Sequence, residues 1–134
     1  MEVRILQLLE GARQARGLTV IIDVFRAFSA ACYLFAAGAR RILPVAEVEE
    51  ARALKAQHPE YLLVGEVGGR RPPGFDYGNS PSELERAELR GRTIVQRTSA
   101  GTQGLVQARG AEELLTGAFV NAPELVAYTR RRAP

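Results

Sequence analysis

Short β-branched segments alternate with helical segments along this chain, and that alternation constrains the fold more than any other feature. Leu18–Ile22 is a compact apolar run typical of a strand buried on both faces. The same pattern predicts strands at Val3–Leu9, Arg41–Val45, Tyr61–Val64 and Thr93–Arg97, and a last short strand beginning near Leu114. It predicts helices at Arg26–Ala39, Val48–Gln57, Pro81–Ala87, Gly101–Arg109, and from Pro123 to about Arg131. We therefore expect one α/β domain over residues 1–134, a layered sandwich of a largely parallel sheet flanked by helices, with a mixed sheet as the alternative.

Composition narrows the classes of function. The 134 residues are 46% hydrophobic, which is enough for a core, and the net charge is only +3. Basic residues form no stripe with interleaved aromatic residues, so no nucleic-acid partner is expected. The longest apolar run, residues 27–39, is shorter than the roughly 20 residues that cross a bilayer, which predicts no membrane partner and a cytoplasmic location. Residues 130–134 are predicted to be a solvated tail, although Arg130–Arg132 would also suit a helix C-terminus.

A long loop rich in glycine and proline, Gly68–Gly78, precedes a segment dense in polar groups. Loops of this length in compact domains are usually functional or mobile. After it, Ser80 is predicted to cap a helix with Pro81 at its first position, and Glu83 completes a capping-box pattern. A helix start approached by Asp76 and Asn79 favours an anion, but an ordinary capped loop explains the same residues.

Polar residues follow three predicted strands where each strand ends. Asp23 and Arg26 follow the first, Glu66 follows another, and the third runs into a turn rich in hydroxyl groups, Arg97–Thr102. Ligands of open α/β sheets bind beyond the carboxyl ends of the strands. Two carboxylates suit Mg2+, and an arginine suits a phosphate or sulfonate. Each piece alone also has a structural explanation, such as helix capping by Asp23.

Six segments, in this order and spacing, resemble the 2-phosphosulfolactate phosphatase family over nearly the whole chain. They are Ile21–Ala27, Gly38-Ala39 with Pro44-Val45, Gly65-Glu66, Gly74–Pro81, Thr98–Thr102 and Gly117–Asn121. The Gly-Phe-Asp-x-Gly-Asn-Ser-Pro string is the most specific of them. The resemblance implies an α/β fold and a Mg2+-dependent acid phosphatase. Members hydrolyse 2-phospho-3-sulfolactate to 3-sulfolactate and phosphate, a step toward coenzyme M.

The resemblance also implies which residues form the site. Asp23, Arg26 and Glu66 match motif positions that we interpret as catalytic, with Asp23 and Glu66 holding Mg2+. The positions expected to bind a small anionic phosphate ester are Asp76, Asn79, Ser80, Arg97, Thr98, Ser99, Gly101, Thr102 and Asn121.

This chain departs from the family pattern in three ways. Val67 stands where members tend to have an arginine, and Ser99-Ala100 replaces a Thr-Asn pair. The resemblance also covers only about the first half of family members. Two hypotheses follow: a Mg2+-dependent phosphomonoesterase, or a catalytically inactive domain that binds a small organophosphate or sulfonate. A sheet edge that the second half would cover predicts a homo-oligomer.

Overall fold

Parallel strand pairs flanked by helices make up the structure, a computed structural model that describes residues 2–132. The strands are β1 (Gly17–Ile22), β2 (Arg41–Val45), β3 (Leu62–Gly65), β4 (Thr93–Arg97) and β5 (Ala111–Gly117). The helices are α1 (Leu8–Arg13), α2 (Ala27–Ala36), α3 (Val48–Gln57), α4 (Pro81–Leu84), α5 (Gly101–Gln107) and α6 (Ala122–Arg132), with a 3-10 turn at Phe119–Asn121. This architecture confirms the predicted α/β sandwich.

The strands form two sheets instead of one. β1 pairs with β5, and β2, β4 and β3 form the second sheet in that order. Every ladder between the named strands is parallel, so the mixed-sheet alternative does not apply to the described residues. The carboxyl ends of β3 and β4 coincide, because Gly65 pairs with Arg97 in the ladder. Residues that follow these two strands are therefore neighbours.

Apolar side chains fill both faces of the three-stranded sheet. On one side, Leu34 of α2 packs with Leu84, Leu89 and Ile94, all fully buried. The other side is filled by buried residues of α3, the strands and the loop that follows β3, namely Val45, Ala51, Tyr61, Leu63, Phe75 and Val95. Burial of this kind contributes about 25 cal/mol per Å² of apolar surface, which fixes the helices against the sheet.

Two local predictions were wrong. Val3–Leu9 forms no strand: residues 2–7 belong to no regular element, and α1 begins at Leu8. A strand needs a partner, and no described strand pairs with this segment, where Ile5 is 88% exposed. The capping box is also absent, since the Ser80 side chain makes no cap hydrogen bond and the Glu83 carboxylate accepts one from the Gly78 N–H.

The C-terminal arginines lie in the last turn of α6, so the helix alternative holds for them instead of the solvated tail. Arg132 pairs with Glu113 of β5 at 3.0 Å. Residues 133 and 134 of the predicted tail lie outside the described residues. Within residues 2–132, no helix is both long enough and apolar enough to cross a bilayer.

Candidate active site

A cavity of about 230 Å³ lies beyond the carboxyl ends of β1, β3 and β4. Six of the predicted site residues line it together: Asp23, Arg26, Glu66, Asn79, Thr98 and Ser99. Its remaining lining residues are Phe25, Ala27, Gly69 and Ala100. The carboxyl ends of strands from both sheets meet here, although the segments that follow them are far apart in the sequence.

Asp23 follows β1 and is held at both its backbone and its carboxylate. Its N–H donates to the Gly117 carbonyl at 3.0 Å, and its Oδ1 accepts the Ala27 N–H at 3.3 Å. Burial raises the pKa of Asp23, and the nearby charge of Glu66 adds to this, while N–H groups of Ala27 and Gly101 oppose it. A Cβ at position 101 would lie 2.9 Å from Asp23 Oδ2, so glycine is needed there for this close approach.

Glu66 is the most heavily hydrogen-bonded carboxylate of the site. It accepts the Ser99 N–H at 2.6 Å, the Ser99 hydroxyl at 2.9 Å and the Gly69 N–H at 2.7 Å. Burial alone would raise the pKa of Glu66, but these donors and the charge of Arg97 hold it below its usual range. A carboxylate has about four acceptor positions. Three of them are occupied here, which ties the loop after β3 to the turn after β4.

Arg26 brings positive charge to the cavity. Its side chain is half-buried, and among residues 2–132 it makes no ion pair and no hydrogen bond. Guanidinium groups bind phosphate and carboxylate in a bidentate manner and stay charged at all physiological pH values. The Arg26 side chain is therefore available to an anion that enters the cavity.

Asn79 presents a buried acceptor that the surrounding protein does not satisfy. The residue is only 5% exposed, and its Oδ1 has no hydrogen-bond partner in the described part of the chain. Buried polar atoms without a partner are rare in native proteins. This atom points to a group that binds in the cavity.

The turn between β4 and α5 is fixed by two threonines. The Thr98 N–H donates to Thr102 Oγ1 at 2.8 Å, and the Thr102 N–H donates to Thr98 Oγ1 at 3.0 Å. Thr98 lines the cavity, whereas Thr102 is fully buried and does not. Arg97 also lies behind the lining, where its guanidinium donates to the carbonyls of Ala46 and Glu66, each at 3.0 Å. These residues shape the site, as does Gly101.

Three further predicted substrate residues also lie outside the cavity lining and contact other parts of the protein. Asp76 Oδ2 accepts the Leu63 N–H at 2.8 Å and the ammonium group of Lys55 at 3.2 Å, which anchors β3. The Ser80 hydroxyl is 3.0 Å from that of Ser82. Asn121 closes the turn after β5: its Oδ1 accepts the Ala118 N–H at 2.9 Å, and its Nδ2 donates to the Thr116 carbonyl at 3.0 Å.

Sequence reasoning assigned no role to four lining residues: Phe25, Ala27, Gly69 and Ala100. Phe25 is 89% exposed at the cavity mouth, between the two flagged residues Asp23 and Arg26. Gly69 donates to Glu66 from the long loop that had been noted for its length alone. Phe25 could have been predicted from its position next to Arg26 in the sequence. Gly69 could not, because every residue except proline has a backbone N–H and the residue type does not show which one donates to the site.

The donor set fits a hard divalent cation. Asp23 and Glu66 supply carboxylate oxygens and Asn79 supplies an unsatisfied amide oxygen, which are the ligand types of Mg2+. Within the described residues, no group of three or more His, Cys, Asp or Glu side chains could hold a metal ion. Two carboxylates suffice for Mg2+, which keeps several water ligands.

Comparison with known proteins points to one family. The sequence model described as 2-phosphosulpholactate phosphatase matches residues 4–134. Proteins of Carboxydothermus hydrogenoformans and Caldicellulosiruptor saccharolyticus are 43% and 38% identical, each over 81% of this chain and 45% of their own length. A Bacillus subtilis protein is 35% identical over 85% of this chain and 50% of its own length. All three are named "Probable 2-phosphosulfolactate phosphatase", and this chain spans about half the length of each.

Proposed function

Because the chain belongs to the 2-phosphosulfolactate phosphatase family, we propose that it is a phosphoric monoester hydrolase that converts 2-phospho-3-sulfolactate to 3-sulfolactate and phosphate. The observation that carries the proposal is the convergence of Asp23, Glu66 and the unpaired Arg26 on one cavity within the described chain. The substrate is small and multiply anionic, so it needs positive charge and hydrogen-bond donors in its site. The role of its product as a precursor of coenzyme M belongs to the same proposal.

The charged side chains of the cavity and the turn between β4 and α5 have proposed roles. Arg26 binds phosphate or sulfonate oxygens and offsets charge that develops as the phosphoryl group is transferred. Asp23 and Glu66 hold Mg2+, which supplies Lewis-acid stabilisation of the phosphoryl oxygens when bound. The two hydrogen bonds between Thr98 and Thr102 hold the backbone of Thr98 and Ser99 in place, so that this side of the cavity is preorganised for substrate.

The test is phosphate release from racemic 2-phosphosulfolactate by purified protein, with and without Mg2+, beside a panel of small phosphate esters. We expect Mg2+-dependent release that falls at least about 100-fold in Asp23→Asn and Glu66→Gln, a loss typical of removing one electrostatic contact to the transition state. Glu49→Gln is the matched control, because the Glu49 side chain is 80% exposed and pairs only locally with Arg52. Full turnover in either cavity variant would refute the metal assignment.

A second candidate is a domain that binds a small organophosphate or sulfonate without hydrolysing it. The observation in its favour is the Glu66 carboxylate, three of whose acceptor positions are already occupied by Ser99 and Gly69. Little of that carboxylate is left for a cation. Saturable binding of inorganic phosphate that is insensitive to EDTA, with no release from any ester, would favour this candidate over the hydrolase.

The proposed protein partner is a second copy of the chain. Large apolar side chains lie exposed where β1 and β5 end: Ile22, Phe25, Phe119 and Val120. Exposed apolar groups that cluster in this way are typical of association surfaces. The cytoplasmic location predicted from the sequence is kept as part of the same proposal.

A further inference from the structure

Asn79 Oδ1 is the one buried side-chain nitrogen or oxygen atom that lacks a hydrogen-bond partner within residues 2–132. The residue is 5% exposed and is one of those that line the cavity. Leaving such an atom unpaired costs about 1–3 kcal/mol, a cost that a group bound in the cavity would offset.

We propose that Asn79 Oδ1 is a ligand of the divalent cation, beside the carboxylates of Asp23 and Glu66. The inference rests on the proposed function, in which those carboxylates hold Mg2+. Neutral amide oxygens are ordinary ligands of hard cations. Glu66 has one acceptor position left after its three hydrogen bonds, so a third oxygen donor makes up what the two carboxylates lack.

The proposed substrate is a poor partner for this atom. Carboxylate, sulfonate and ionised phosphate groups carry acceptor oxygens and no donor hydrogens. An acceptor such as Asn79 Oδ1 gains nothing by facing them, whereas a cation, or water bound to a cation, satisfies it directly. Asn79, which the sequence assigned to substrate binding, is thereby moved to the cation.

The orientation of the Asn79 amide decides which kind of group it can bind. With its oxygen and nitrogen exchanged, Asn79 would present an NH2 donor, and phosphate would be its partner. Aspartate separates the two readings, because Asn79→Asp has an oxygen in both positions. It preserves a cation ligand and removes any donor to phosphate.

The experiment is calorimetric titration of Mg2+ into metal-free protein, without substrate. We compare wild type with Asn79→Ala and Asn79→Asp. The control is Ser80→Ala, because Ser80 is the next residue in the chain and its side chain lies outside the cavity lining. We expect Mg2+ affinity to fall about tenfold or more in Asn79→Ala, as for other losses at a metal site, and to be kept or increased in Asn79→Asp. Ser80→Ala is expected to bind like wild type.

Wild-type Mg2+ affinity in Asn79→Ala would overturn the inference. So would a loss of inorganic-phosphate binding in both Asn79 variants with Mg2+ binding intact, which is the outcome expected of the reversed amide. Melting temperatures measured in EDTA establish that each variant is folded, and Asn79→Asp still tests the inference if Asn79→Ala does not fold.

These outcomes are separable from failure of the proposed function. If wild type binds Mg2+ and Asn79→Ala weakens that binding, the inference holds even when no ester is hydrolysed. If wild type hydrolyses 2-phosphosulfolactate while Asn79→Ala keeps full Mg2+ affinity, the function holds and the inference fails. Absence of Mg2+ binding by wild type refutes the inference together with the metal part of the proposed function.

Discussion

At the scale of single residues, Asp23 is a candidate catalytic group whose ionisation we expect to lower the stability of the metal-free fold. Burial raises its pKa, and the charge of Glu66 adds to the effect, so folding disfavours the ionised carboxylate. Below the ordinary pKa of an aspartate, both folded and unfolded states are protonated and the residue contributes nothing. As the pH rises, the unfolded state ionises first and stability falls, reaching its lower level above the folded-state pKa.

Asp23→Asn is therefore expected to increase the free energy of unfolding of metal-free protein at about pH 7 and to leave it nearly unchanged at about pH 3. Urea denaturation in EDTA measures both values. Asp76→Asn is the contrast, because it weakens the contact with the ammonium group of Lys55, and it is expected to lower stability at neutral pH. A less stable Asp23→Asn protein at pH 7 would contradict the account.

Ser99 is a positioning residue in this structure, since both its N–H and its hydroxyl donate to Glu66. Its hydroxyl oxygen also accepts the Gly68 N–H at 3.0 Å. Ser99→Ala is expected to lower kcat/KM about tenfold, within the range seen when a residue that orients a metal ligand is removed. Ser99→Thr keeps the hydroxyl and is expected to recover most of the activity. Steady-state kinetics at saturating Mg2+ tests this, and equal loss in both variants would count against a role for the hydroxyl.

The sequence predicted the position of a site residue well where a strand end fixes that position, and poorly where an irregular loop does. Glu66 and Ser99 were predictable as neighbours, because both follow strands of one parallel sheet. Asp23 follows β1 of the other sheet, and the sequence grouped it with them only on the expectation of a single sheet. The position of Asp76 was not predictable, because the direction of a side chain in an irregular loop depends on partners distant in sequence, here Lys55 and the Leu63 N–H. The motif that contains both Asp76 and Asn79 did not indicate that Asp76 binds Lys55 and Leu63 while Asn79 lines the cavity.

At the scale of elements, the junction of β3 and β4 depends on one glycine. Gly65 has φ +147°, and a Cβ there would lie 1.8 Å from the Arg97 carbonyl oxygen. Gly65→Ala is therefore expected to cost about 3 kcal/mol or more in the free energy of unfolding. In Gly91→Ala, with φ +72° and no atom within 4 Å of the new Cβ, only the backbone strain of about 1–2 kcal/mol remains.

Urea denaturation of both glycine variants, with circular dichroism as the signal, measures the difference. A similar cost for the two would mean that the contact with Arg97 relaxes easily and that Gly65 is needed for its φ angle alone. The comparison also bears on the site, because Glu66 follows Gly65 and moves with it.

The elements themselves were predictable where local and long-range preferences agree. The bounds of β2, α3 and β4 coincide with the predicted ones, since apolar periodicity and flanking turn residues mark both ends. Val3–Leu9 has the composition of a strand but no partner, and composition alone cannot supply one. The division into two sheets was equally out of reach, because strand pairing is a long-range property.

For the molecule as a whole, the apolar surface beside the cavity is the feature with the largest consequence. Ile22 and Phe119 are 71% and 76% exposed, and Ile22 pairs with Gly117, two residues before Phe119, at the end of the β1–β5 ladder. Phe25, three residues after Ile22, is 89% exposed and lines the cavity. Association through this surface would remove apolar area from water and narrow the access of water to the site.

Sedimentation velocity over a range of protein concentrations is expected to show reversible self-association of wild type and a shift toward monomer in Phe119→Ser. Val126→Ser is the matched control, because Val126 is 49% exposed on α6, away from the cavity lining. Since Phe25 would be buried beside the cavity in the associated state, phosphate release per chain should rise with protein concentration in wild type and stay flat in Phe119→Ser. A wild type that is monomeric at every concentration, with constant activity per chain, would show that the cavity works without cover from a second copy.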